Sequence, residues 1–288
     1  MLPPPSKRVV FREHRPACAV TAAARAVLLC CVFAAGACCS AADWRMVKGN
    51  HFIVFHTEDD EFARRVCVQA EVHYEQIARD LDYTKRSDFW LWDNRIRIRI
   101  FATRDEFARA VGAPDWAAGR SSPRQKEIST FKADPGFLES VLVHELAHMI
   151  LRDFFGADRE VPLWLNEGVA QWEERVARGE SAEAARLLLE RGEAMPLAQL
   201  VQVDMAELRG MRHPEIFYLQ SASLVGHLIR GYGPGRFRKL CAQIRDGKDL
   251  ESALRFTYQD LARSIEELER AWRESLLVGA VRAERISH

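Results

Sequence analysis

The sequence predicts an α+β (or α/β) body followed by a helical C-terminal subdomain. Three observations carry that expectation. Short strand-patterned runs, HFIVFHT (51–57), RIRIRIF (95–101) and EISTF (127–131), all fall before residue 132. Segments of helical period separate and follow them, and beyond about residue 178 nearly every apolar pattern has that period. The expected organisation is residues 1–42 as a separate N-terminal segment, 43–178 as an α/β domain and 179–288 as a helical subdomain. With 288 residues, 48% hydrophobic and 28% charged, the composition is that of an ordinary globular chain. A formal net charge of zero gives no sign of a nucleic-acid partner.

Residues 1–42 carry Lys7, Arg8, Arg12, Arg15 and Arg25 against one acid, Glu13. Behind Arg25 comes AVLLCCVFAAGACCSAAD, so the order is basic, apolar, then small, which is the layout of an export signal. The apolar run is shorter than the ~20 residues of a spanning helix, although a signal anchor is an alternative. Cleavage before Asp43, after Ser40-Ala41-Ala42, competes with lipidation at Cys38 or Cys39. Either route sends the protein to the periplasm or cell envelope, the second with a membrane-anchoring lipid. Without this segment the chain has 36 basic and 40 acidic residues. Only Cys67 and Cys241 lie in the body, and two buried free thiols are expected there rather than a disulfide.

After the 51–57 strand, Thr57 is the expected N-cap of a helix reaching about Asp80. Glu58, Asp59, Asp60 and Glu61 suit its dipole, and Phe62, Val66, Ala70, Val72 and Ile77 form the expected buried side. RIRIRIF alternates strictly, with Ile96, Ile98 and Ile100 on one face and Arg95, Arg97 and Arg99 on the other, a stripe able to bind anions but expected to be a solvated sheet face. TRDE (103–106) has capping-box spacing and opens a helix through Ala110. Residues 112–126, rich in Gly, Pro and Ser, read as a loop before the 127–131 strand. Helices are expected at about 137–153 and 163–178, then at 181–192, 196–207, 215–231, 234–246, 249–256 and 260–276. GYGPG (231–235) follows a helix and reads as a cap and turn rather than a phosphate loop, and the seven tryptophans read as core.

The chemistry concentrates in VLVHELAHMIL (141–151). Residues four apart on a helix stack one turn above each other, so His144 and His148 can present two imidazoles to one ion. Glu145 lies about a hundred degrees round the helix, placed to take a proton from a metal-bound water rather than to ligate. A catalytic zinc wants a third protein ligand and one open position. The candidate is Glu167 in PLWLNEGVAQW (162–172), separated from His148 by eighteen residues and flanked by apolar Leu165 and Val169, where an uncompensated carboxylate would be costly. Gly168 would let the second helix approach the first closely, and Gln171, one turn on, could orient an imidazole.

HELAH, eighteen residues, then the Glu of WLNEG resembles the gluzincin branch of zinc metallopeptidases. The wider pattern of strands, WAAG and the GKDLESAL…EELERAW tail resembles the smaller bacterial peptidase-MA-like domain proteins, over roughly residues 44–276. The resemblance implies a zincin-like mixed sheet with active-site helices, one zinc per chain on His144, His148 and Glu167, and Glu145 as general base. It further implies an oxyanion-stabilising tyrosine, for which Tyr218 in IFYLQSAS is the best-placed match, ahead of Tyr232. No GxMEN-type segment for holding a free amino terminus is found, WAAGR standing roughly in its place, so aminopeptidase specificity is not implied.

The leading expectation is therefore an exported zinc peptidase acting on peptide or protein substrates, with the 127–131 strand as the edge on which an extended peptide lies. The alternatives are a catalytically silent zincin-fold module of the envelope, for which an intact Glu145 has no use, and hydrolysis of a non-peptide substrate.

Overall fold

The computed structural model describes residues 43–83, 94–112, 119–122, 124–132, 137–156 and 158–286. The export-signal expectation for residues 1–42, with Cys38 and Cys39, falls outside them, as do Trp90, Trp92 and Trp116.

Five strands form one mixed sheet: β1 (Arg45–Lys48), β2 (Phe52–His56), β3 (Ile96–Phe101), β4 (Gly119–Ser122) and β5 (Glu127–Phe131), in the order β1-β2-β3-β5-β4. β2, β3 and β5 run parallel, and β1 and β4 close the two edges antiparallel. The alternation of β3 is realised: Ile96, Ile98 and Ile100 are buried while Arg97 and Arg99 occupy the outer face. Arg95 precedes the strand and donates to the Gly49 carbonyl at 3.0 Å.

Helix α1 (Asp60–Asp80) covers the inner face of β2 and packs on α3 (Val141–Phe155). Its N-cap is Asp59, not Thr57, because the Asp59 carboxylate accepts from the Phe62 amide at 2.9 Å. Phe62, Val66, Ala70 and Ile77 are buried as expected, but Val72 is 45% exposed, since it falls off the stripe that faces the sheet. Thr103 caps α2 (Arg104–Val111) through the Glu106 amide, as the TRDE spacing predicts. The outer side of the sheet carries a small separate cluster, Phe101, Phe107 and Phe131, under α2.

Two strands went unrecognised in the sequence. β1 is short and mostly exposed, and β4 (GRSS) has no apolar alternation and lies within the expected loop. Each owes its conformation to a partner strand, the usual context dependence of strand formation. As a consequence β5 is interior, paired on both sides, so the 127–131 strand is not the sheet edge and β4 is.

The remainder is helical: α4 (Leu163–Glu173), α5 (Arg175–Glu190), α6 (Leu197–Leu200), α7 (Met205–Gly210), α8 (Pro214–Tyr232), α9 (Pro234–Arg245), α10 (Leu250–Thr257) and α11 (Ile265–Ile286). The expected helix 196–207 is two, because Asp204 caps a new start at α7 by accepting from the Glu207 amide. The expected 163–178 helix breaks at Glu174, whose extended backbone (φ −67°, ψ 116°) ends α4 and begins α5. Gly233, at φ 86°, joins α8 to α9 in the GYGPG turn. One buried core runs from Phe52 to Leu276, so the helices beyond residue 178 share it with the sheet. Trp164, Trp172 and Trp272 lie inside it, and Cys67 and Cys241 are buried free thiols.

Candidate metal centre and active-site cleft

Helix α3 supplies His144, Glu145 and His148, α4 supplies Asn166 and Glu167, and α8 supplies Tyr218. α3 carries apolar residues on the faces turned to the sheet and α1, with Leu142, Val143, Leu146, Ala147 and Ile150 buried, which turns both imidazoles toward α4. The two Nε2 atoms lie 3.1 Å apart, and each is 3.9 Å from Glu167 Oε2. One ligand atom from each of His144, His148 and Glu167 falls within 4.8 Å of the other two.

The far nitrogens explain why those atoms converge. His144 Nδ1 donates to Glu174 Oε1 at 2.8 Å, and His148 Nδ1 donates to Asn166 Oδ1 at 3.1 Å. A proton on each Nδ1 leaves a lone pair on each Nε2. With both rings neutral, two lone pairs and a carboxylate oxygen face the same small space, an arrangement relieved by a bound cation or by a proton shared between the two Nε2 atoms. Two imidazoles and a carboxylate are the donor set of a catalytic zinc, so these residues fit that ion.

Glu174 is the residue that sequence reasoning missed. A continuous helix would have carried its side chain past α3, whereas the break lets the carboxylate reach back to the Ser140 hydroxyl at 2.7 Å and to His144. Both Nδ1 atoms being taken, Gln171 has no imidazole nitrogen left to orient, and Glu174 and Asn166 do what was expected of it. A glutamate seven residues after Glu167 was visible in the sequence, but nothing there signalled the break.

Electrostatics follow this geometry. For His144 burial favours the neutral ring, but the Glu174 hydrogen bond and the carboxylates of Glu145 and Glu167 outweigh it, and the pKa is raised. His148 is lowered, by burial first and then by the neighbouring His144. Glu174 is lowered despite its burial, through its hydrogen bonds with His144 and Ser140.

Gly168 permits close packing, though not the contact expected of it. A Cβ there would lie 2.7 Å from the Ser221 carbonyl oxygen and 2.8 Å from Val225, so the glycine seats α4 on α8 rather than on α3. That contact brings Tyr218 to the site: burial and then the Glu167 charge raise its pKa. Tyr232 lies elsewhere, its hydroxyl 3.3 Å from His227 Nε2. A cleft of about 1130 Å³ reaches the triad at His148, with Gly119 and Ser121 of β4, Glu145, Asn166 and Tyr218 also on its walls. At its edge β4 presses on α3, since a Cβ on Gly119 would come within 2.6 Å of Val141.

The family model of the Peptidase MA superfamily matches residues 92–278, which span the site helices and most of the chain beyond them. The chain belongs to the Peptidase MA superfamily. No curated protein matches it. Membership in the Peptidase MA superfamily points to peptidase activity on peptide or protein substrates, and the His/Glu triad suits the zinc dependence usual there.

Proposed function

We propose that the protein is an exported zinc metallopeptidase of the gluzincin type, with His144, His148 and Glu167 as ligands and Glu145 as general base. The observation that carries this reading is the convergence of three ligand atoms within 4.8 Å, one of them on His148, which lines a cleft together with Glu145. When bound, zinc supplies a Lewis acid that acidifies water and polarises a carbonyl group.

The chain's own residues do the rest. Glu174 and Asn166 hold the two imidazoles in the tautomer that presents Nε2. Glu145 accepts a proton from the attacking water and passes it to the leaving amine. The Tyr218 hydroxyl, kept protonated by burial and by Glu167, donates to the oxygen of the tetrahedral intermediate. An extended peptide adds to β4, whose outer side has no strand partner among the described residues and whose Gly119 and Ser121 line the cleft. The basic, apolar and small-residue order of residues 1–42 supports export.

The test is the zinc content of the purified chain beside a His148→Ala/Glu167→Ala double variant. About one zinc per folded wild-type chain, lost in the double variant, is the expected result. A folded wild-type chain that refuses added zinc would overturn the reading.

A further inference from the structure

A second groove, of about 920 Å³, lies on the outer face of the sheet. Strand register puts Arg97 beside Glu127, and Arg99 beside Ser129 and then Arg120, all on the face opposite Ile96, Ile98 and Ile100. Arg124 stands in the turn between β4 and β5, and Arg152 of α3 also lines the groove. Glu127 is the one acid on its walls among the described residues. It is shared, with Arg99 3.0 Å and Arg97 3.8 Å from the same oxygen. Arg97 otherwise donates to the Gln125 carbonyl at 2.7 Å and Arg120 to the Val111 carbonyl. The guanidinium groups of Arg97, Arg99 and Arg120 have more N–H donors than these contacts use. This concentration of positive charge runs against the rest of the chain, which beyond residue 42 has more acids than bases.

Position decides what the groove is for. Arg120, Ser121 and Arg152 line both it and the catalytic cleft, so the two meet across edge strand β4. In an extended peptide added to β4, every second side chain points to the sheet's outer face, where Arg120 stands on the edge strand itself. Arg97 and Arg99 lie two strands further in. Guanidinium groups recognise carboxylates by paired hydrogen bonds, and a cleft lined with one sign of charge concentrates the opposite sign.

We propose that this groove receives the acidic side chains of the peptide held in the cleft, so that the substrates are segments rich in Glu or Asp. The inference rests on the reading of the cleft as a peptidase site and deepens it.

The experiment measures binding rather than turnover. Short fluorescein-labelled peptides of alternating Glu and Ala, Gln and Ala, or Lys and Ala are titrated by anisotropy into the full chain carrying Glu145→Gln, at low salt. The Glu peptide is expected to bind at least about tenfold more tightly than the Gln peptide, a preference that fades as salt is added. Arg120→Glu with Arg124→Glu should abolish the preference and transfer it to the Lys peptide. Arg124→Glu alone, at an exposed turn position, should move it part-way in the same direction, and so covers a failure of the double variant to fold. Equal binding of Glu and Gln peptides, or a preference untouched by Arg124→Glu, overturns the proposal. So does polyphosphate displacing the Glu peptide at equal charge concentration, since the groove would then be a general anion site. Failure of the peptidase reading looks different: wild type and Glu145→Gln would hydrolyse equally, or neither would, while the anisotropy preference stays measurable.

Discussion

The site is built from two segments that work in different ways. Helix α3 places His144, Glu145 and His148 by periodicity alone: any helix through these residues puts two imidazoles one turn apart and the carboxylate beside them. The α4–α5 segment places Glu167 and Glu174 by tertiary means, through the seat of Gly168 on α8 and through a break in the helix at Glu174. One segment is self-sufficient, and the other is held by what it touches. The difference predicts where substitution alters chemistry alone and where it alters the frame.

The largest effect belongs to the periodic segment. Glu145→Gln keeps the shape of the side chain and touches no ligand, so zinc content should match wild type. Loss of the proposed general base should lower turnover of an unstructured protein substrate by about 10²–10⁴-fold. Turnover within a few-fold of wild type would show that Glu145 is not the base. Loss of zinc would show that α3 is less independent of its neighbours than periodicity implies.

Next comes the junction. Glu174→Gln keeps a hydrogen-bond acceptor for His144 but removes the charge. Supporting groups of this kind are typically worth about 10–100-fold in metal affinity, so competition against a chelator should show a loss of that order. An unchanged zinc affinity would mean the break at Glu174 serves packing and not the metal.

How far the sequence discloses each segment follows from the same contrast. HELAH, the distance to WLNEG and the alternation of RIRIRIF are local patterns: helix α3 and strand β3 form over the first and the last, and His144, His148 and Glu167 lie together. Glu174 could not be found that way, because the preference of its neighbours for helix says nothing about where tertiary contacts interrupt it. Edge strand β4 was equally hidden: Gly119, Arg120, Ser121 and Ser122 have no strand signature, and pairing with β5 makes them a strand. The misassigned edge at residues 127–131 and the misassigned partner Gln171 share that cause. Each was read from the pattern of one element, whereas strand pairing and a break in the helix decide which neighbouring residues act.

Gly168 tests the frame without touching a ligand. In Gly168→Ala the new methyl group meets the Ser221 carbonyl oxygen at 2.7 Å and carbon at 2.9 Å, which is backbone and yields only if α4 and α8 separate. Overpacking of this kind costs about 1–3 kcal/mol, a fall of several degrees in the melting temperature. A melting temperature equal to wild type would show that the seat is loose and that Glu167 is positioned by something else.

The smallest effect separates the two imidazole supports from each other. His144 donates to a carboxylate and His148 to an amide oxygen, at 2.8 Å and 3.1 Å. A charge-assisted hydrogen bond is roughly twice as strong as a neutral one, so Asn166→Ala should weaken zinc binding less than Glu174→Gln does, by only a few-fold. Gln171→Ala, with no imidazole nitrogen to serve, should leave it unchanged. Both can be read in the same chelator competition, and the order of the three variants matters more than any one value. If Asn166→Ala proves the more damaging, the tautomer of His148 controls the site. In that case the neutral contact from α3 to Asn166 in the first turn of α4 outweighs the charged one made at the break in the helix.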